Sequence, residues 1–234
     1  MVLAAGLGKR MRPITDTIPK PLVPVAGIPL MDWGLDHLVD AGVRTAVVNV
    51  HYLADQVEAH LGSRADIAIR ISDEREALLE SGGGIIKALP LLGSDPFFLI
   101  NSDTFWLDAD EPNLIRLATA FDPATMDILL MLADHDHATG HGDKSDFTLG
   151  HDCRLARFAE GGGKGYIYAG VAILHPRIFA DANTDSHSLN QEFNAAISSG
   201  RLFGLPMTGH WITVGTPDAI EPAERVVAAF GAKL

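Results

Sequence analysis

Apolar residues along the first half of the chain recur in alternating rhythms. Met1 to Ala5 form a small apolar run that reads as a short buried strand. Thr45-Ala-Val-Val-Asn-Val and Pro96-Phe-Phe-Leu-Ile-Asn-Ser-Asp read as further apolar strands, and Ile67, Ile69 and Ile71 alternate as a half-exposed strand does. Between them, Leu30, Trp33, Gly34, His37, Leu38 and Ala41 fall on one helical face from Pro29 to Ala41, with Gly42 as the stop. Ala54 to Leu61 predicts a second helix closed by Gly62. Strand–helix–strand–helix–strand predicts a parallel sheet with right-handed crossovers. Leu79-Glu-Ser-Gly-Gly-Gly then reads as a glycine-rich element leading into a helix over Ile85 to Leu92.

The second half changes period. Asp127 to Ala133 predicts another strand, and Asp134 to Asp143 a solvated, histidine-bearing loop. Phe147 and Leu149, then Leu155 and Phe158, predict two arms of a hairpin around Gly150-His-Asp. A glycine-rich loop from Glu160 follows, then an apolar strand over Val171 to Leu174. Ser188 to Ser199 predicts a helix with Ser188 as N-cap and Gly200 as stop. Leu202 to Leu205 is a short strand, and His210-Trp-Ile-Thr-Val-Gly-Thr-Pro enters a last helix over Pro217 to Phe230, with proline in its first turn. The whole, 1–234, is expected to be one α/β domain: a mixed, mainly parallel, doubly wound sheet carrying a hairpin-containing region in its second half. The chain begins only two residues before Leu3, a short start for such a strand, which leaves open that residues precede it.

Composition narrows the chemistry. At 47% hydrophobic and 21% charged over 234 residues, the sequence has the balance of an ordinary globular protein. Its apolar runs are too short to span a bilayer, and its apolar start lacks the form of a signal peptide, so a cytoplasmic address is the expectation. A net charge of −12 argues against non-specific binding to nucleic acid or to an anionic membrane. It does not argue against a nucleotide, because basic residues gather near the N-terminus. The lone Cys153 excludes an internal disulfide and a thiolate metal site.

That basic cluster is the first candidate site. Gly6 and Gly8 let backbone approach a ligand without a Cβ in the way, and Lys9, Arg10 and Arg12 follow directly. Backbone N–H groups beside fixed positive charges suit a polyphosphate. Lys20 stands between Pro19 and Pro21, whose fixed φ angles limit where it can point, as a clamp for a phosphate at a reacting centre requires. Neither a Rossmann fingerprint nor a P-loop is present, and a plain surface turn is the bland alternative. Asp103 ends an apolar strand, where open parallel sheets gather ligand groups, and one carboxylate with phosphates and water suffices for magnesium. His135, His137 and His141 fit no metal-binding spacing.

The string Leu-Ala-Ala-Gly-x-Gly-x-Arg-Met-x-Pro-x-Thr from Leu3, continued by Pro-Lys-Pro-Leu-Val-Pro-Val-Ala-Gly-x-Pro, closely resembles the signature of the sugar-1-phosphate nucleotidyltransferases. The resemblance spans Val2 to Pro29 nearly without a gap. It implies a Rossmann-like nucleotidyltransferase fold, a nucleotide-binding half over 1–133 and a sugar-binding half over 134–234. It also implies that Leu3, Ala4, Ala5, Gly6 and Gly8 wrap a nucleoside triphosphate, that Arg10 grips its β and γ phosphates and that Lys20 acts at the phosphates being joined. Ser81 and Gly82 fall where the family recognises the base, and Leu-Glu-Ser-Gly-Gly-Gly is typical of uridylyl-transferring members, which favours UTP. Asp103 matches the family's ligand for Mg²⁺. Glu160 and the Tyr-Ala-Gly ending at Gly170 fall where the family lines its sugar pocket, and Lys164 or the Gly161-Gly-Gly stretch could meet the sugar phosphate; a mobile glycine loop over an ordinary hairpin is the bland alternative. One position departs: the family's second metal-ligating aspartate is here Thr213, a weaker ligand. The implied partners are a nucleoside triphosphate and a sugar 1-phosphate. The rivals are transfer of guanylyl to mannose 1-phosphate and a nucleotide-sugar-binding protein without turnover, which Thr213 suggests.

Overall fold

The opening strand, Val2–Leu3 (β1), is two residues long, yet it lies in the middle of the sheet, parallel to both of its neighbours. The computed structural model describes residues 1–180, 182 and 185–232. After β1 the chain runs through three short 3₁₀ turns into a small hairpin, β2 (Pro24–Val25) and β3 (Ile28–Pro29). Then come α1 (Leu30–Asp40), β4 (Thr45–Val50), α2 (Ala54–Leu61), β5 (Ala68–Asp73), α3 (Glu80–Leu92) and β6 (Phe97–Asn101). Next are β7 (Thr104–Leu107), α4 (Asn113–Ala120), β8 (Ile128–Ala133), β9 (Ala138–Thr139), β10 (Phe147–Leu149) and β11 (Leu155–Arg157). The chain ends through β12 (Gly165–Leu174), α5 (Asn190–Ser198), β13 (Leu202–Pro206), β14 (His210–Thr213) and α6 (Ile220–Gly231).

The central sheet runs β11-β10-β12-β6-β1-β4-β5, with β8 on β12 and β13 beyond it. β4 and β6 pair with β1, and β5 with β4, all in parallel, whereas β12 is antiparallel to β6, β8 and β10. The sheet is therefore mixed, as expected. Both faces are covered, and successive residues of one strand serve opposite cores because side chains alternate. Val48 and Leu129 pack with Leu35, Val57 and Leu117 from α1, α2 and α4. Val47 and Leu130 pack with Ile85, Phe193 and Ala196 from α3 and α5. A third cluster joins Met11, Val25, Phe105, Ile212 and Ala223, tying the N-terminal loop to α6 and to the small sheet β7-β14-β9.

Several boundaries differ from the sequence reading. The glycine run does not precede α3. Gly82, Gly83 and Gly84 lie inside it and are buried, because close packing of neighbouring segments outweighs glycine's poor helix propensity. The strand expected at Val171 to Leu174 starts at Gly165 and carries an irregularity between Tyr168 and Ala172. β7 and α4 occupy a stretch for which no element is predicted. The last helix opens with a 3₁₀ turn, Pro217–Ala219. Among the described residues, no helix is long and apolar enough to cross a membrane.

Candidate active site

The loop after β1 is built around Gly8, whose φ of 60° is left-handed. A Cβ there would lie 2.9 Å from Thr15 Cγ2 and 3.1 Å from Lys20 Cβ, so both conformation and space require glycine. The Gly8 carbonyl accepts from Met11 N–H at 2.9 Å and from Thr15 Oγ1 at 2.8 Å. From α2 and its approach, the Tyr52 hydroxyl donates to Thr15 O at 2.8 Å and Gln56 Nε2 to Thr17 O at 3.0 Å. The loop is thus fastened to the scaffold at several points.

That fastening delivers Lys20. It opens a 3₁₀ turn, Lys20–Leu22, between Pro19 and Pro21, and its side chain is only 12% exposed. Its Nζ donates to Asp103 Oδ2 at 2.7 Å. Asp103 follows β6, whose register is continued when Ser102 N–H donates to Leu3 O at 3.2 Å. On its other side, the Asp103 carbonyl accepts from Val214 N–H at 3.1 Å, which brings the β14 exit alongside. Thr213 is opposite Thr104 in that register, so a hydroxyl stands in the segment beside Asp103.

The donor set suits a divalent ion that arrives with a substrate. Among the described residues, no group of three or more His, Cys, Asp and Glu side chains could form a protein cage. Asp103 nevertheless offers a hard oxygen at the cleft, and magnesium commonly takes one or two carboxylates and completes its shell with phosphate and water. The residues present fit that mode.

Leu3, Ala5, Gly6, Lys20, Ser81 and Asp103 line one cleft of about 270 Å³. Gly6, Gly8, Arg10, Lys20 and Asp103 line its continuation with Gly215, whose Cα faces the Arg10 guanidinium. Ala4, Gly82, Glu160, Lys164 and Gly170 line neither part. Ala4 is buried, and its N–H donates to Asn49 Oδ1 at 2.8 Å. Ser81 Oγ accepts from Leu189 N–H at 2.9 Å, and Gly82 packs under the ring of His187, so it presents no open surface. Glu160 and Lys164 are exposed on their loop, where Lys164 pairs with Asp134 and holds its carboxyl below the usual carboxylate range. Gly170 is buried in β12 with φ 75°, against Thr104 Oγ1 and Asn101 Nδ2.

Asn49, Glu80 and Asn101 also line the cleft, though the sequence reading does not single them out. Asn49 and Asn101 are polar residues near the carboxyl ends of apolar strands, the same signal that marks Asp103. Glu80 has φ 57°, a conformation that non-glycine residues rarely hold without a reason. The histidine-bearing loop folds on itself: His135 Nε2 meets Ser145 Oγ at 2.8 Å, and His141 Nε2 meets Lys144 O at 2.9 Å.

Comparison with known proteins agrees with this geometry. Residues 1–229 match the family described as "Nucleotidyl transferase". The N-acetylmuramate alpha-1-phosphate uridylyltransferase of Caulobacter vibrioides is 46% identical over 233 residues, covering 97% of this chain and 96% of its own. Its namesake from Neisseria meningitidis serogroup B is 36% identical and is covered to 98%, as is this chain. Among solved structures, the inositol-1-phosphate CTP transferase from T. maritima has a TM-score of 0.78 at 19% identity, over 98% of this chain and 94% of that one, a likeness of fold. With nearly the whole length matched, and with a glycine loop, a clamped lysine and a strand-end aspartate meeting in one cleft, this chain belongs to the nucleotidyl transferase family.

Proposed function

We propose that the protein transfers the uridylyl group of UTP to N-acetylmuramate 1-phosphate, giving the UDP-sugar and pyrophosphate. That product would return a cell-wall sugar to nucleotide form, in the cytoplasm. The observation that carries the reading is the contact of 2.7 Å between Lys20 Nζ and Asp103 Oδ2 in a cleft shared with the glycine loop. It puts a fixed cation and a hard oxygen ligand at the same point, as phosphoryl chemistry needs. The sugar and the base follow the two relatives, which span nearly the whole chain.

In this reading an oxygen of the sugar phosphate attacks the α-phosphorus in line, and the bond to the bridging oxygen of the β-phosphate breaks. The attacking oxygen is already anionic, so no side chain need take a proton. Arg10 and the backbone of Gly6 and Gly8 hold the departing pyrophosphate. Lys20 neutralises charge on the phosphates being joined, and its low exposure removes competing water, which strengthens that effect. Asp103 is the residue that would hold Mg²⁺. When bound, the ion would supply charge neutralisation across the triphosphate.

Pyrophosphate release with Mg²⁺ tests the reading, using UTP, GTP, CTP and dTTP, each against the 1-phosphates of N-acetylmuramate, N-acetylglucosamine, glucose and mannose. Turnover confined to UTP and the muramic sugar is the expected result. Turnover with GTP and mannose 1-phosphate would keep the chemistry and overturn the substrate. Silence on every pair, with nucleotide binding intact, would favour a binding protein in which Thr213 has cost the reaction its second metal ligand.

A further inference from the structure

A second pocket opens from the first. It shares Leu3, Ser81 and Asn101 with the nucleotide cleft and is completed by Asp146, Arg157 and Tyr168. Arg157 ends β11, one arm of the hairpin, and reaches across to α5. Its Nε donates to Asn194 Oδ1 at 3.0 Å and its Nη2 to Asn190 Oδ1 at 2.9 Å, while its Cζ lies 4.8 Å above the Phe147 ring. Three neutral neighbours thus fix the plane of the guanidinium, and Nη1 makes no hydrogen bond among the described residues.

Most arginines elsewhere in the molecule are used differently, although Arg10, Arg44 and Arg70 likewise meet no carboxylate among the described residues. Arg64, Arg75, Arg154, Arg177 and Arg201 each meet a carboxylate within ion-pairing distance. Arg157 meets none among the described residues, although it stands in a chain with a net charge of −12. An oriented guanidinium without a carboxylate partner, facing a cleft, is a ready site for a planar anion.

The rest of the pocket suits a polyhydroxylated ligand. The Tyr168 hydroxyl is buried and has no hydrogen-bond partner among the described residues, and burial pushes its pKa above the usual phenol range, so it remains an O–H donor. Asp146 accepts from Tyr168 N–H at 2.8 Å through Oδ2, which leaves Oδ1 to accept from a sugar hydroxyl or an acetamido N–H. Asp146 also repels an anion, so the acidic group of a ligand must lie toward Arg157 and away from it.

We infer that Arg157 pairs with an acidic substituent on the sugar, so that this pocket selects an anionic sugar 1-phosphate over its neutral counterpart. The inference rests on the function proposed above. N-acetylmuramate is N-acetylglucosamine with a lactyl ether, so the two 1-phosphates differ by that one carboxylate-bearing group. Charge-assisted, fork-shaped recognition gives the guanidinium a larger share of this discrimination than a single neutral hydrogen bond could supply.

The test compares kcat/KM for the two 1-phosphates with UTP in the wild-type chain, Arg157→Gln and Arg157→Lys. The ratio of acidic to neutral substrate is expected to fall roughly ten- to a hundredfold in Arg157→Gln, mainly through KM, and to recover partly in Arg157→Lys, which restores charge without the fork. An equal fall for both sugars, or an unchanged ratio, would overturn the inference and leave Arg157 a structural residue. If the wild-type chain turns over neither sugar, the proposed reaction itself fails. Calorimetric binding of UDP-N-acetylmuramate against UDP-N-acetylglucosamine then decides the role of Arg157 independently, by whether Arg157→Gln lowers the preference for the first. Unfolding midpoints of the variants identify any general loss of fold.

Discussion

Asn49 carries three segments on one side chain. Its Oδ1 accepts from Ala4 N–H at 2.8 Å, and its Nδ2 donates to Glu74 Oε1 at 2.7 Å. The other oxygen of the fully buried Glu74 accepts from Leu79 N–H at 3.2 Å. Glycine-loop strand, β4 and the entry to α3 are thereby fixed relative to one another beneath the cleft. Asn49→Leu strands the Ala4 N–H and a Glu74 oxygen in the interior, each at a cost of about 1–3 kcal/mol. Gly84→Ala strains the same network, since its Cβ would fall 2.6 Å from Glu74 Oε1. Both variants are expected to lower the urea midpoint while leaving its slope unchanged; an unaltered midpoint in either would show that the network relaxes freely. Lys20→Ala acts on turnover instead. Loss of a pre-positioned cation at the reacting phosphates is expected to cost roughly a hundred- to a thousandfold in kcat. His135→Ala or His141→Ala, neither of which lines the cleft, should change the rate by less than about twofold. Comparable losses in lysine and histidine variants would sink the mechanism. At this scale the sequence is most legible where local chemistry is enough. Lys20 between two prolines and Asp103 at a strand end can be read from their neighbours alone. Arg157 cannot, because its role depends on Asn194, 37 residues later.

Among elements, α3 departs furthest from local expectation. Three successive glycines oppose a helix, yet the helix begins before them: Gly82 and Gly83 are packed by the segment at 185–187, and Gly84 by Glu74 and Asn49, too closely for a side chain. A Cβ on Gly82 would fall 2.4 Å from His187 Nε2, and the His187 carbonyl accepts from Gly82 N–H at 2.9 Å. His187 itself is held through Nδ1 to Asp185 O and through Nε2 to Glu192 Oε1, both at 2.8 Å. The Asp185 carbonyl, then the Glu192 carboxylate, raise its pKa above the usual imidazole range, against the opposing effect of burial. The sign follows directly. The folded protein binds this proton more tightly than the unfolded chain, so the stabilisation is fully present below the unfolded value of about 6.5 and is lost as pH rises through the raised folded value. Urea stability of the wild-type chain, minus that of His187→Gln, should therefore decline on going from mildly acidic to mildly alkaline pH. A difference independent of pH would mean that His187 does not gain its proton on folding. The same long-range packing explains which elements the sequence conceals. β7 begins directly after the turn at Asp103 and pairs with β14 more than a hundred residues later, so its apolar residues look like the tail of β6.

On the scale of the molecule, the expected division into a nucleotide half and a sugar half does not divide the fold. β8 ends at Ala133, yet its partners are β12 and β13, both from the second half. β12 in turn pairs with β6 from the first half, so one sheet crosses the boundary. The two principal cores cross it too: Val2 and Met31 share a cluster with Val171 and Trp211, and Val47 and Ile85 share one with Leu174 and Leu202. The sequence makes the α/β class and the order of strands legible through their periods, but pairing between distant strands leaves no mark in either period. If the halves were independent, cutting at the boundary would cost little. Here it would leave β8 without a neighbour and expose an edge of β6, with apolar faces open on both sides of the sheet. Unfolding in urea is therefore expected to be one cooperative transition. Tryptophan fluorescence reports it from both halves, since Trp33 and Trp106 lie in the first and Trp211 in the second. Far-ultraviolet circular dichroism should give the same midpoint. The fragment 1–133 alone should remain largely unfolded, because the surfaces that would bury β8 are absent. Separate midpoints for the two probes, or a folded fragment, would show instead that the nucleotide half is an autonomous domain to which the sugar half was added.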